Sequence, residues 1–144
     1  LMAQSDFVVV ACLLNDETRH LIGARELARM KTTAYLINVA RSPIVDEHAL
    51  CETLAARRIA GAGLDVFEQE PTPASNPILK LDNVIVTPHS LAWTDELFSN
   101  IARTAIGAIL AIAAGRRPEY LVNPEALSHP RVRAWLKPPL GSIG

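Results

Sequence analysis

Four short apolar runs, each followed by a helical pattern or a polar loop, restrict this chain more than any other feature of it. Phe7-Val8-Val9-Val10-Ala11-Cys12 is continuously apolar rather than alternating. That is the pattern of a strand covered on both faces, and such strands belong to parallel sheets. Asn15, Asp16 and Thr18 break the run; Ala24 to Met30 then reads as a short helix and Ala34 to Val39 as a second buried strand. Asp46 is a good N-cap for a helix over Glu47 to Arg57, on which Leu50 and Leu54 share one face. Gly61 and Gly63 mark a third strand, Ala62 to Val66. A Pro-rich polar stretch from Glu68 to Asp82 leads to a fourth, Val84 to Val86, ending at Thr87-Pro88-His89.

Strands alternating with helices predict an α/β fold, half of a doubly wound, Rossmann-like parallel sheet whose ligands bind beyond the C-terminal strand ends. Those ends are Cys12, Val39, Asp65 and Thr87, so Thr18, Arg41, Asp65, Glu70 and His89 are expected on one rim. Thr94 is placed to cap a long helix over 94–114, with Leu97, Ile101, Ala105, Ala108 and Ile112 on one face and Gly115 as its stop. Its most apolar part, Ala105 to Ala114, is well short of the roughly 20 residues that span a bilayer and reads as a buried helix face. Residues 1–115 are expected to form one domain and 116–144 an irregular tail. Pro118, Pro124, Pro130, Pro138 and Pro139 argue against regular structure there, and the final Gly-Ser-Ile-Gly has no evident partner.

Composition narrows the partners. The 144 residues are 49% hydrophobic and 20% charged, which excludes a disordered chain. A net charge of -1 without runs of like charge gives no reason to expect nucleic acid or a membrane surface, and favours a small-molecule partner. Leu1 to Asp6 lacks a basic leader, and Cys12 and Cys51 read as packed thiols, so a cytoplasmic protein is expected. His20, His48, His89 and His129 show no metal-ligand spacing, and no metal is expected.

The rim residues carry chemistry. Arg41 offers a planar fork to a carboxylate, or else pairs with Asp46 or Glu47 at the surface. His89 is suited to moving a proton near neutral pH, or is a loop histidine satisfied by backbone. A carboxylate beside an imidazole favours the protonated ring and fixes its orientation; Glu70 and Glu68 are both candidates, and either could be a solvated loop acid. Asp65 could do no more than cap backbone amides.

Four ordered motifs make a resemblance specific: Leu36-Ile37-Asn38-Val39-Ala40-Arg41, Ile44-Val45-Asp46-Glu47, Gly63-Leu64-Asp65-Val66-Phe67-Glu68-Gln69-Glu70-Pro71, and Asn83-Val84-Ile85-Val86-Thr87-Pro88-His89. Together they resemble the C-terminal part of the D-isomer-specific 2-hydroxyacid dehydrogenases, from about Ser5 to Asn123, covering the second half of the NAD-binding domain. The resemblance implies NAD or NADP as cofactor and hydride transfer to a small 2-oxo acid such as glyoxylate or hydroxypyruvate. It implies Arg41 as the carboxylate binder, His89 as acid/base, and Glu70, the acid directly before Pro, as its partner. Thr18, Val39, Ala40, Arg41, Asp65, His89 and Ala92 would line the cofactor, Asp65 near the nicotinamide ribose and carboxamide. The tail would return to the substrate domain. Independently of the resemblance, half of a doubly wound sheet leaves an apolar edge strand and face uncovered, so a homodimer is expected.

The departures are also specific. The family's Gly-x-Gly-x-x-Gly turn is absent, so the chain alone is expected to bind NAD weakly and to be inactive. Leu13, Ser42 and Leu91 stand where family members commonly have Pro, Gly and Gly, and Trp93 adds bulk close by. The alternative is a truncated, non-catalytic fragment or a nucleotide-sensing module of the same fold. Formate dehydrogenases, which place Gln where Glu70 stands, are disfavoured.

Overall fold

In the computed structural model, which describes residues 1–136, strands β1 (Phe7–Val10), β2 (Tyr35–Asn38), β3 (Gly61–Leu64) and β4 (Val84–Val86) form one parallel sheet in the order β1-β2-β3-β4. Pro138, Pro139 and the final Gly-Ser-Ile-Gly lie outside the described residues. Two units are distinguished, Leu1–Ala92 and a second beginning at Trp93.

Because each strand pairs with the next in sequence, right-handed connections place every crossover on the same face of the sheet. That face is closed by α1 (Ala24–Leu27) and α2 (Glu47–Ala55), burying Val8, Val10, Leu36, Leu27, Leu50 and Leu54. The opposite face is open: Phe7 is 65% exposed and Ile85 77%, and the Phe7 and Tyr35 rings stack at 5.6 Å. The open face agrees with the expectation that half of a doubly wound sheet leaves an apolar face uncovered, and it corrects the reading of the Phe7 to Cys12 run as a strand covered on both faces. A continuous apolar run shows that a strand can be covered twice, not that the same chain supplies both covers.

Local chemistry explains the element ends. Asp46 caps α2 by accepting from the Ala49 amide at 2.9 Å, and α2 stops two residues earlier than predicted, with Arg57 in the left-handed region at φ 53°. Helix α1 is also shorter than predicted, although Met30 beyond it still packs into the core. A 3-10 turn at Ser42–Ile44 drives Ile44 and Val45 into the interior. Gly61 is glycine for a packing reason: a Cβ there would lie 2.5 Å from the Asn83 carbonyl oxygen, where β3 meets the chain entering β4. Cys51 packs against the core, and burial pushes its thiol pKa up, with Glu47 and Glu52 adding to the rise. Cys12 is exposed just beyond β1, not packed as expected.

The second unit contains α3 (Asp95–Ala113), capped by the Thr94 hydroxyl, which accepts from the Leu97 amide at 3.2 Å, and ended by Gly115 at φ 70°. None of its residues is buried, contrary to the expected buried face. As a whole, its 19 residues are long and apolar enough by length and composition to cross a membrane, a test that the ten-residue apolar stretch alone fails. The region after it is more regular than predicted. A 3-10 turn at Pro124–Ser128 precedes α4 (Pro130–Trp135). Proline starts both, because the first position of a helix has no intrahelical partner for an N–H.

Candidate functional site

At the end of β2 the buried Asn38 shapes the rim. Its side-chain oxygen accepts from the Ala40 amide at 3.1 Å, and its amide donates to the Arg41 carbonyl at 3.3 Å. The strand is thereby turned so that Ala40 is buried while Val39 and Arg41 are exposed. Arg41 donates through Nη1 to the Ala40 carbonyl at 2.7 Å. It forms no ion pair with Asp46 or Glu47. Asp46 caps α2, while Glu47 accepts from the Ser42 hydroxyl, the Glu68 amide and the Asn76 side chain at 3.2, 2.7 and 2.8 Å.

The two candidate acids diverge. Glu68 turns toward α2, accepting from the Glu47 amide at 3.3 Å and lying 3.5 Å from His20 Nε2. Glu70 faces the other way: one carboxylate oxygen accepts from the Phe67 amide at 3.0 Å and the other lies 2.8 Å from His89 Nδ1. The bond to His89, then the Phe67 amide, hold the Glu70 pKa below its ordinary 4.5 against a smaller effect of burial; the charge of Arg41 also favours the carboxylate.

Asp65, at the end of β3, is buried. It accepts from the Thr87 hydroxyl at 2.6 Å, from the Ser90 amide at 2.9 Å and from the Leu91 amide at 3.3 Å. Burial would raise its pKa, but these donors, with His89 nearby, outweigh that and leave it below the ordinary 3.8. His89 itself has φ 54°, a conformation few non-glycine residues adopt. Beside the pair lies a cleft of about 630 Å³ with Phe67, Pro71, Leu79 and Val86 in its walls.

Thus Asp65, Glu70 and His89 are brought together, and Arg41 is close enough to bias Glu70. Thr18 is committed elsewhere: its hydroxyl donates to the Leu13 carbonyl at 2.7 Å and receives the Asn15 amide at 2.8 Å, closing its own turn. Ala92 is exposed at the end of the first unit. Sequence reasoning missed Asn38 and the Glu47–Glu68–Asn76 network. A polar residue inside the apolar run Leu36 to Val39 was the available sign of the former; the network joins residues too distant in sequence to be read from spacing.

A parallel sheet with its polar groups gathered at the C-terminal strand ends is a nucleotide-binding type of α/β unit. Residues 1–90 match the profile described as D-isomer specific 2-hydroxyacid dehydrogenase, NAD binding domain. The chain is 45% identical over 127 residues to a glyoxylate reductase of Korarchaeum cryptofilum, covering 88% of this chain and 38% of that protein. Among solved structures, the NAD-complexed D-isomer specific 2-hydroxyacid dehydrogenase of Lactobacillus delbrueckii ssp. bulgaricus superposes with TM-score 0.78 at 34% identity, covering 84% of this chain and 41% of that one. The Xanthobacter autotrophicus Py2 enzyme with NADPH and MES gives 0.68 at 43% identity, covering 87% and 51%. This chain belongs to the D-isomer specific 2-hydroxyacid dehydrogenase family, and it spans less than half the length of the glyoxylate reductase.

Proposed function

We propose that the rim is the substrate-and-nicotinamide half of an NAD(P)-dependent 2-hydroxyacid dehydrogenase site acting on a small 2-oxo acid of the glyoxylate or hydroxypyruvate type. The observation that carries this is the 2.8 Å pair between Glu70 and His89 Nδ1. With Nδ1 held by the carboxylate, proton exchange falls to Nε2, which has no hydrogen-bond partner among the described residues. When bound, the nicotinamide would supply or accept the hydride. In reduction, the protonated ring donates to the oxygen that becomes the hydroxyl; in oxidation, the neutral ring takes that proton back. Glu70 balances the positive ring and fixes its tautomer. Arg41, free of Asp46 and Glu47, pairs its guanidinium with the substrate carboxylate.

The donor set fits one end of a dinucleotide. The exposed Val39 and the backbone about Ala40, Arg41 and Ala92 offer surface for the nicotinamide ribose and ring. Among the described residues no Gly-x-Gly-x-x-Gly turn accompanies them, and the paired glycines Gly61 and Gly63 lie inside β3. This chain by itself is therefore expected to hold the dinucleotide weakly and to turn over little or not at all. The exposed Leu91, where the family commonly has Gly, favours a second reading, a binding module without hydride transfer. The names of the relatives support the first. Residues 1–115 would complete the cofactor domain and 116–144 would lead back to a substrate domain. The open sheet face is proposed to be covered in a homodimer of the intact, soluble cytoplasmic enzyme.

The test replaces the matching stretch of the Korarchaeum cryptofilum reductase with this chain and measures glyoxylate-dependent oxidation of NADH and NADPH. Turnover that disappears with His89→Gln supports the dehydrogenase reading. A folded chimera that binds NADH without turnover supports the module and refutes the enzyme.

A further inference from the structure

We propose that Asp65 is a positioning residue: its carboxylate, seated on the two amides that follow His89, holds that histidine's backbone in the left-handed conformation and thereby aims the ring at Glu70. The inference rests on His89 being the acid/base. It assigns Asp65 a different task from the contact with the nicotinamide ribose and carboxamide that family resemblance implies.

The geometry is that of an anion nest. A residue at φ 54° turns the amides after it to one side, where they form a concavity for negative charge. Here the Ser90 and Leu91 amides both point at Asp65, at 2.9 and 3.3 Å, and the Leu91 amide is equidistant from both carboxylate oxygens. On the other side of His89, the Thr87 hydroxyl donates to the same carboxylate at 2.6 Å. One buried group therefore holds the chain before and after the imidazole.

The two other non-glycine residues with positive φ among the described residues, His20 and Arg57, show the contrast. The amides after them bond to backbone carbonyls: Leu21 to Thr18 and Ile22 to Ile44 after His20, and Arg58 to Thr53 after Arg57. Their turns are held by the local fold, whereas the turn at His89 is held by a charge. Asp65 is 5% exposed, and all three donors converge on its Oδ1, so this oxygen anchors the loop, while Oδ2 takes only a share of the Leu91 amide.

The experiment is NMR on the isotope-labelled 144-residue chain, wild type and Asp65→Asn. In Asp65→Asn, amide exchange at Ser90 and Leu91 is expected to accelerate about tenfold or more, the order expected for losing a charge-assisted bond. The Thr87 amide, bonded to the Leu64 carbonyl at 2.9 Å, keeps its protection as the control for the sheet. The ring ¹⁵N signals of His89 are expected to move from one dominant tautomer toward a mixture although Glu70 is untouched, a change that a purely structural anchor elsewhere in the core would not produce. Unchanged exchange at Ser90 and Leu91, or an unchanged His89 tautomer, overturns the proposal. If the variant fails to fold, the wild type decides: protection of Ser90 and Leu91 supports the anchor, and free-peptide exchange there beside a protected Thr87 refutes it. None of these readouts requires turnover, so an inactive chimera would remove the dehydrogenase reading and leave them intact.

Discussion

The strand-end rim of the first unit and helix α3 of the second solve the same problem, removing groups from the wrong solvent, to very different extents. Around Asp65 and Asn38, buried polar side chains are matched within the chain, and no buried side-chain nitrogen or oxygen among the described residues lacks a partner. Along α3, Phe98, Ile101, Ile106, Ile109 and Leu110 are all more than half exposed. Hydrogen bonds need partners at fixed distance and direction, which a short stretch of sheet and loop can supply. Apolar burial needs area, and a 19-residue helix carries more apolar surface than this unit covers. The rim is complete in its local chemistry, while α3 is incomplete in its packing.

Several measurements would break or sharpen that contrast. The largest effect is expected from His89→Gln in the chimera, where loss of the proton donor should lower kcat by about 10²- to 10⁴-fold. A drop of less than tenfold would show that the rim does not perform the chemistry. Next come paired truncations in the isolated chain. Leu54→Ala, in the buried core, should cost about 2–5 kcal/mol by denaturant unfolding. Ile109→Ala, on exposed α3, should stay within about 0.5 kcal/mol. Equal costs would mean that α3 finds its cover within the chain or between copies. Sedimentation tests the second possibility directly: with the open sheet face and α3 both apolar, at least a dimer is expected, and a monodisperse monomer would refute it.

Arg41→Lys in the chimera should lower kcat/KM for glyoxylate about tenfold or more, since an ammonium cannot offer two parallel donors to a carboxylate. An unchanged value would refute carboxylate binding. In Glu70→Gln, kcat should fall about tenfold, because an amide neither balances the protonated ring nor fixes its tautomer; an unchanged kcat would separate Glu70 from His89. The smallest effect concerns pH. Asp65 has a lowered pKa when folded, so its bonds stabilise the fold above its ordinary 3.8 and are lost as pH falls through the lowered value. The difference in Tm between parent and Asp65→Asn should therefore be full near neutral pH and shrink below about pH 4; a constant difference would show that the charge is not what matters.

The sequence by itself determined the order and type of β1 to β4 and of α1, α2 and α3, because strand and helix periods and caps such as Asp46 and Thr94 act over a few residues. It also placed Arg41, Glu70 and His89 beyond strand ends. Pro124 and Pro130 were misread as breaking structure, since proline ends a helix from within but can begin one, and composition does not distinguish the two. Only the tertiary structure decided that Glu70 rather than Glu68 meets His89, that Arg41 is free of Asp46 and Glu47, and that Asp65 grips both sides of the His89 turn. Each of these is a choice that side-chain direction makes among chemically similar groups. Such choices depend on how parallel register brings Leu64 beside Val86 and their following loops together, a relation between residues far apart in sequence that no local pattern contains.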